Sequence, residues 1–124
     1  MSQKKKKSKW YHYAFHLLAF VVALVFLAAG GTKFIPLPAH VENFTKWGFP
    51  LWFMYLTGGV EVAGALLLII PMTRYYGATL LFFTMIGAIF THIRAGEWFL
   101  LGTPVLLLIL TLIIAIRQMF KTIR

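Results

Sequence analysis

Leu51-Trp52-Phe53-Met54-Tyr55-Leu56-Thr57-Gly58-Gly59-Val60-Glu61-Val62-Ala63-Gly64-Ala65-Leu66-Leu67-Leu68-Ile69-Ile70 is one long hydrophobic stretch with a single carboxylate in its middle. A helix rises about 1.5 Å per residue, so Glu61 lies roughly 15 Å from Leu51, near the centre of a bilayer. An ionisable group at that depth costs about 2.5–3.5 kcal/mol on insertion scales, so it faces a partner, a cavity or a ligand rather than lipid.

Three similar stretches flank this one: 13–30, 75–92 and 99–116. Each has roughly the length a helix needs to cross the hydrocarbon. None alternates apolar and polar positions as barrel strands would, so the spans are helical. Composition agrees. Of 124 residues, 60% are hydrophobic and 12% charged, with a mean hydropathy of +0.82. Soluble domains carry roughly 25% charged residues. The reading is an all-α integral membrane four-helix bundle of one domain, residues 13–117, between basic tails at 1–12 and 118–124.

The net charge of +9 does not point to nucleic acid. Its carriers sit in the run Lys4-Lys5-Lys6-Lys7-Ser8-Lys9 and at helix ends. That run reads as an uncleaved topology signal contacting anionic lipid headgroups. With Arg74, Arg117, Lys121 and Arg124 on the same side, and only Lys33, Lys46 and Arg94 opposite, both termini are expected in the cytoplasm. Trp10, Trp47, Trp52 and Trp98 fall at the expected membrane interfaces. The absence of cysteine excludes thiol redox chemistry, disulfides and thiolate-held clusters.

Pro71-Met72-Thr73-Arg74 and Ala95-Gly96-Glu97-Trp98 read as tight turns between antiparallel helices. The segment 32–50, with Pro36 and Pro38, is longer. Its middle reads as a short amphipathic helix in the outer interface, with Val41, Phe44 and Trp47 on its apolar side. Thr103-Pro104 marks a kink or a late start of the last helix.

Thr57, Gly58, Glu61, Gly64 and Ala65 share one helix face, and small residues there admit a close neighbour. Thr84, Gly87, Ala88 and Thr91 form a second such seam, with His92 at its outer end. Thr84 is level with Glu61 and is the expected hydrogen-bond partner. Lys33 is a charge partner, directly or through water. Glu61 is then either a structural clamp or the centre of an outward-opening pocket lined by Lys33, Thr84 and His92. His12 and His16 have i, i+4 spacing but no further ligand nearby, so no metal is expected. No nucleophile with a base, phosphate loop or carboxylate pair is present.

The order of motifs resembles the DoxX-like family of small four-helix membrane proteins. Gly30-Gly31-Thr32-Lys33-Phe34 closes the first helix, Gly48-Phe49-Pro50 opens the second, and Glu61-Val62-Ala63-Gly64-Ala65 follows within it. Arg74-Tyr75-Tyr76-Gly77-Ala78 starts the third, which ends in Gly87-Ala88-Ile89-Phe90-Thr91-His92. The resemblance implies a superfamily that includes subunits of quinone-linked sulfur oxidation and cargo or assembly factors. It makes Lys33, Glu61 and His92 the characteristic polar positions. The chain departs from the sulfur-oxidising subunits in its shortness and in lacking an evident soluble domain. The expectation is a non-enzymatic accessory or binding subunit of a bacterial-type inner membrane, without a resident cofactor. Its pocket would hold a quinone, a lipid or a partner helix, and other membrane subunits are candidate partners. The alternatives are a membrane subunit of a quinone-linked oxidoreductase and a small oligomeric proton or ion transporter.

Overall fold

The computed structural model describes residues 2–35 and 37–123, with side chains for 10–35 and 37–121. Pro36, Arg124 and the side chains of the lysine run from Lys4 to Lys9, with their expected headgroup contacts, lie outside the described residues. The order of elements is α1 (Ser2–Thr32), α2 (Pro38–Lys46), α3 (Leu51–Ile69), α4 (Arg74–Arg94), a 3₁₀ turn at Trp98–Leu100, and α5 (Gly102–Ile123). All but α2 contain a span long and apolar enough to cross a membrane: Trp10–Thr32, Leu51–Ile69, Arg74–Arg94 and Trp98–Lys121. The protein is an integral membrane protein.

Each long helix buries a stripe at three- and four-residue spacing, as a helix with one packed face must. On α1 it is Phe15, Ala19, Val22, Ala23 and Phe26. On α3 it is Met54, Gly58, Glu61, Ala65 and Leu68. Gly77, Ala78, Leu81 and Met85 continue it on α4, and Leu107, Thr111 and Ile114 on α5. Helix α1 packs along α3, α3 along α4, and α4 along α5, while α5 meets α1 less extensively. Outward faces carry large side chains such as Phe20, Leu66 and Phe83. Lipid tails compete equally for apolar contact, so close packing rather than burial from water selects the seams. Accordingly, a Cβ on Gly64 would lie 2.7 Å from Leu81, and one on Gly77 would lie 2.7 Å from the Gly64 carbonyl.

The ends differ from expectation in informative ways. Helix α1 continues through the basic run, and α5 continues to Ile123. Pro104 falls in the first turn of α5, where its missing N–H costs no helical bond. The late start is therefore the observed outcome. Helices α2 and α4 both end in a Schellman motif, with Gly48 at φ 85° and Gly96 at φ 74°. In the first, Phe49 N–H donates to Phe44 O (2.9 Å) and Gly48 N–H to Thr45 O (3.0 Å). In the second, Glu97 N–H donates to His92 O (2.8 Å) and Gly96 N–H to Ile93 O (3.1 Å). The second motif folds Glu97 back over the last turn of α4.

Candidate functional site

Helix α1 ends beside α3 because Gly30 and Gly58 admit near backbone contact. Lys33 then turns down along α3. Its Nζ donates to Ala29 O at 3.1 Å and to Glu61 Oε1 at 2.8 Å. The Glu61 side chain is 5% exposed and that of Lys33 15%, so the pair is nearly withdrawn from solvent. This corrects the expected pairing with Thr84, whose hydroxyl donates to Leu80 O of its own helix at 2.8 Å. A threonine within a helix readily bonds the carbonyl four residues back, whereas the lysine stem spans the depth between the helix end and Glu61.

Above the pair, Glu97 gathers the loop end of the bundle. Its Oε2 accepts from Lys46 Nζ at 2.9 Å, and its Oε1 accepts from Trp47 Nε1 at 2.8 Å and from His92 Nδ1 at 3.0 Å. The Lys46 hydrogen bond, reinforced by those from His92 and Trp47, holds the Glu97 carboxyl down at about 2. An ionised carboxylate only accepts, so His92 carries a proton on Nδ1 in this contact. Arg94 Nη2 donates to Trp47 O at 2.6 Å, with its guanidinium carbon 5.4 Å from the centre of the Phe49 ring. These contacts fasten α2 across the mouth of the helices. Phe44, Val41 and Trp47 turn toward the bundle, with Phe44 buried. Trp10, Trp52 and Trp98 are exposed near span ends, while the indole N–H of Trp47 is occupied by Glu97.

Beneath α2 lies a cavity of about 700 Å³ whose lining includes Lys33, Glu61, Thr84 and His92 together. Phe44, Phe49, Phe53 and Phe90 supply rings to its wall, and Thr57, Thr91, His40 and Asn43 further polar groups. Thr57, Thr84 and Thr91 each donate to the carbonyl four residues back, all at 2.8 Å, so their oxygens are left as acceptors. Lys33 spends two of its three N–H donors on Ala29 and Glu61, leaving one. The cavity thus offers charged donors on Lys33 and Arg94, several acceptors and an aromatic wall.

Sequence reasoning missed Glu97, Lys46 and Arg94 as parts of this site. The signal for Glu97 was present: a glycine ending α4 with Glu97 following it, five residues after His92, is the spacing a Schellman motif closes. Among the described residues, no hydrogen bond or ring contact joins His40 to His92, and no group of three His, Cys, Asp or Glu side chains gathers as metal ligands.

The DoxX-like family model matches residues 17–114. The Bacillus subtilis (strain 168) protein named "Uncharacterized protein YdgD" is 41% identical over 73 residues, which are 55% of this chain. The match covers 64% of that relative's own length. No solved structure matches the chain. The family match begins within the first span and ends within the last, taking in the Lys33–Glu61 pair and its cavity. This four-span chain therefore belongs to the DoxX-like family.

Proposed function

We propose that the chain is a non-enzymatic binding or accessory protein whose cavity holds a small amphipathic molecule, with a quinone or a lipid as the chemical class. The observation that carries this reading is the convergence of the Lys33–Glu61 pair, four phenylalanine rings and the Trp47 indole on one cavity of about 700 Å³. Small-molecule sites are roughly 300–1,000 Å³, mostly apolar, with a few placed polar groups. A ring carbonyl accepts the remaining Lys33 proton, a ring hydroxyl donates to a threonine oxygen or to Glu61, and the phenylalanines cover the apolar body. The three lining threonines have their protons tied to their own helices, which disfavours a nucleophilic role and supports binding over catalysis.

Titration with decylubiquinone, read by tryptophan fluorescence, tests the quinone class because Trp47 lines the cavity. Saturable quenching is expected in the wild type, weakened at least tenfold by Glu61→Gln and by the space-filling Ala88→Phe. Identical, non-saturating quenching in all three proteins would remove a quinone as the ligand.

The same reading puts the chain in a bacterial-type inner or plasma membrane with both termini on the cytoplasmic side. The lysine and arginine distribution supports the orientation, and the Bacillus relative supports the type of membrane.

A further inference from the structure

The end of the bundle that carries the termini gathers five basic side chains from three helices. Arg74, at the start of α4, is 3% exposed. Its Nε donates to Leu68 O at 2.7 Å and its Nη2 to Ile69 O at 3.3 Å, closing the C-terminus of α3. Its Nη1 lies 2.9 Å from His16 Nδ1, His16 Nε2 lies 3.0 Å from His12 Nε2, and His12 Nδ1 lies 3.2 Å from Lys121 Nζ. Arg74, Arg117 and Lys121 all stand within 5.6 Å of the centre of one ring, that of Phe15. An aromatic ring offsets part of a cation's desolvation, but it has two faces for these three charges.

No side-chain carboxylate answers them. The three acidic residues of the chain are Glu42, on α2, Glu61, in mid-span, and Glu97, at the loop end. The hydrogen-bond chain also runs short of acceptors. Arginine only donates, so His16 Nδ1 must accept, and its one proton sits on Nε2. That proton donates to His12 Nε2, so the His12 proton sits on Nδ1 and faces the Lys121 ammonium, another donor. With arginine and lysine charged, no placement of the two imidazole protons satisfies all three contacts.

Beside Arg74 and His16 opens a second cavity, of about 430 Å³, whose remaining wall is Leu17, Phe20, Ile69 and Pro71. Arg74 has five N–H groups and uses three, so two remain for an acceptor. Leu17 and Phe20 are exposed on the membrane-facing side of α1. We propose that this end of the bundle is a phosphate site for an anionic phospholipid, its headgroup held by Arg74, Lys121 and Arg117 and its acyl chain lying along Leu17 and Phe20. Phosphate oxygens supply the acceptors the cluster lacks, and the apolar wall favours a lipid over free phosphate as their source.

The test uses the full chain with Lys4, Lys5, Lys6, Lys7 and Lys9 replaced by Gln, so that the N-terminal run does not contribute. Native mass spectrometry from a neutral detergent follows retention of dioleoylphosphatidylglycerol, dioleoylphosphatidylcholine or inorganic phosphate. The anionic lipid is expected to be retained at least tenfold over the zwitterionic one. Arg117→Gln with Lys121→Gln, both exposed positions, should cut that retention about tenfold while the melting temperature stays unchanged. Displacement of the lipid by millimolar phosphate would keep the phosphate site but make free phosphate its source; persistence of the lipid assigns it to the headgroup. Equal retention of the two lipids without phosphate binding, or retention indifferent to the double substitution, would overturn the proposal.

Discussion

The carbonyl oxygen of Gly58 lies 2.7 Å from the point where a Cβ on Gly30 would stand, and the Gly30 oxygen lies 2.8 Å from the corresponding point on Gly58. The two glycines therefore fix how closely α1 and α3 approach, one turn from Lys33 and Glu61. A Cβ on Gly58 would also stand 2.9 Å from the Lys33 Cβ, and one on Gly30 would stand 2.9 Å from the Glu61 Cβ. Helix spacing and ion pairing are thus one feature.

Gly58→Ala should push α1 from α3 and destabilise the protein by about 1–3 kcal/mol, the usual cost of overpacking. Gly31→Ala meets nothing within 4 Å and should be neutral or stabilising by up to about 1 kcal/mol. Equilibrium unfolding in mixed micelles compares the two. Equal effects would break the link between the glycine contact and stability.

The Lys33–Glu61 pair makes a second prediction. Removing one partner of a buried ion pair strands the other, at about 3–5 kcal/mol. Lys33→Met should show this loss, and adding Glu61→Leu should recover part of it. A double-mutant cycle with purely additive losses would contradict direct pairing.

Glu97 predicts a pH dependence. Its carboxyl is depressed from 4.5 to about 2, chiefly by the Lys46 hydrogen bond, then by His92 and Trp47. The unfolded chain takes up this proton first as pH falls, so the stabilisation is full above pH 4.5 and lost progressively toward pH 2. The melting-temperature advantage of wild type over Glu97→Gln should be constant above that window and shrink within it. An advantage that persists unchanged at pH 2 would contradict the assignment.

Topology is testable because the chain has no cysteine of its own. Glu42→Cys on α2 should react with a membrane-impermeant maleimide in intact cells, whereas Met72→Cys, at the opposite end, should react only after lysis. The reverse pattern would invert the orientation.

Much of this architecture is legible in the residue order. The four spans follow from hydropathy alone, and the stripe Met54, Gly58, Glu61, Ala65 and Leu68 from helical spacing. That Glu61 turns inward follows from the cost of a carboxylate in lipid. Lys33 was legible as a charge partner, and the structure shows the pair. The choice between it and Thr84 as the direct hydrogen-bond partner does not follow, because depth along the axis says nothing of rotation between helices. Thr84 matched Glu61 in depth, yet its proton goes to Leu80. The Gly30–Gly58 contact, visible only in three dimensions, gives Lys33 the reach. Glu97 stayed hidden for a different reason: a turn residue shows no periodicity, and its partners Lys46 and Trp47 lie 51 and 50 residues away. Arg74 was read as a topology charge, whereas its guanidinium closes the end of α3.

The central claim is that the cavity around Lys33 and Glu61 holds a small amphipathic molecule. Native mass spectrometry of protein released gently from its own membrane, wild type beside Glu61→Gln, tests it most directly. A discrete bound mass in the wild type, absent or sharply reduced in a folded Glu61→Gln protein, is the predicted result. A wild type that is well folded and carries no bound mass beyond those a folded Glu61→Gln protein also retains, phospholipid at the Arg74 end among them, would contradict it and leave Glu61 as a clamp between helices.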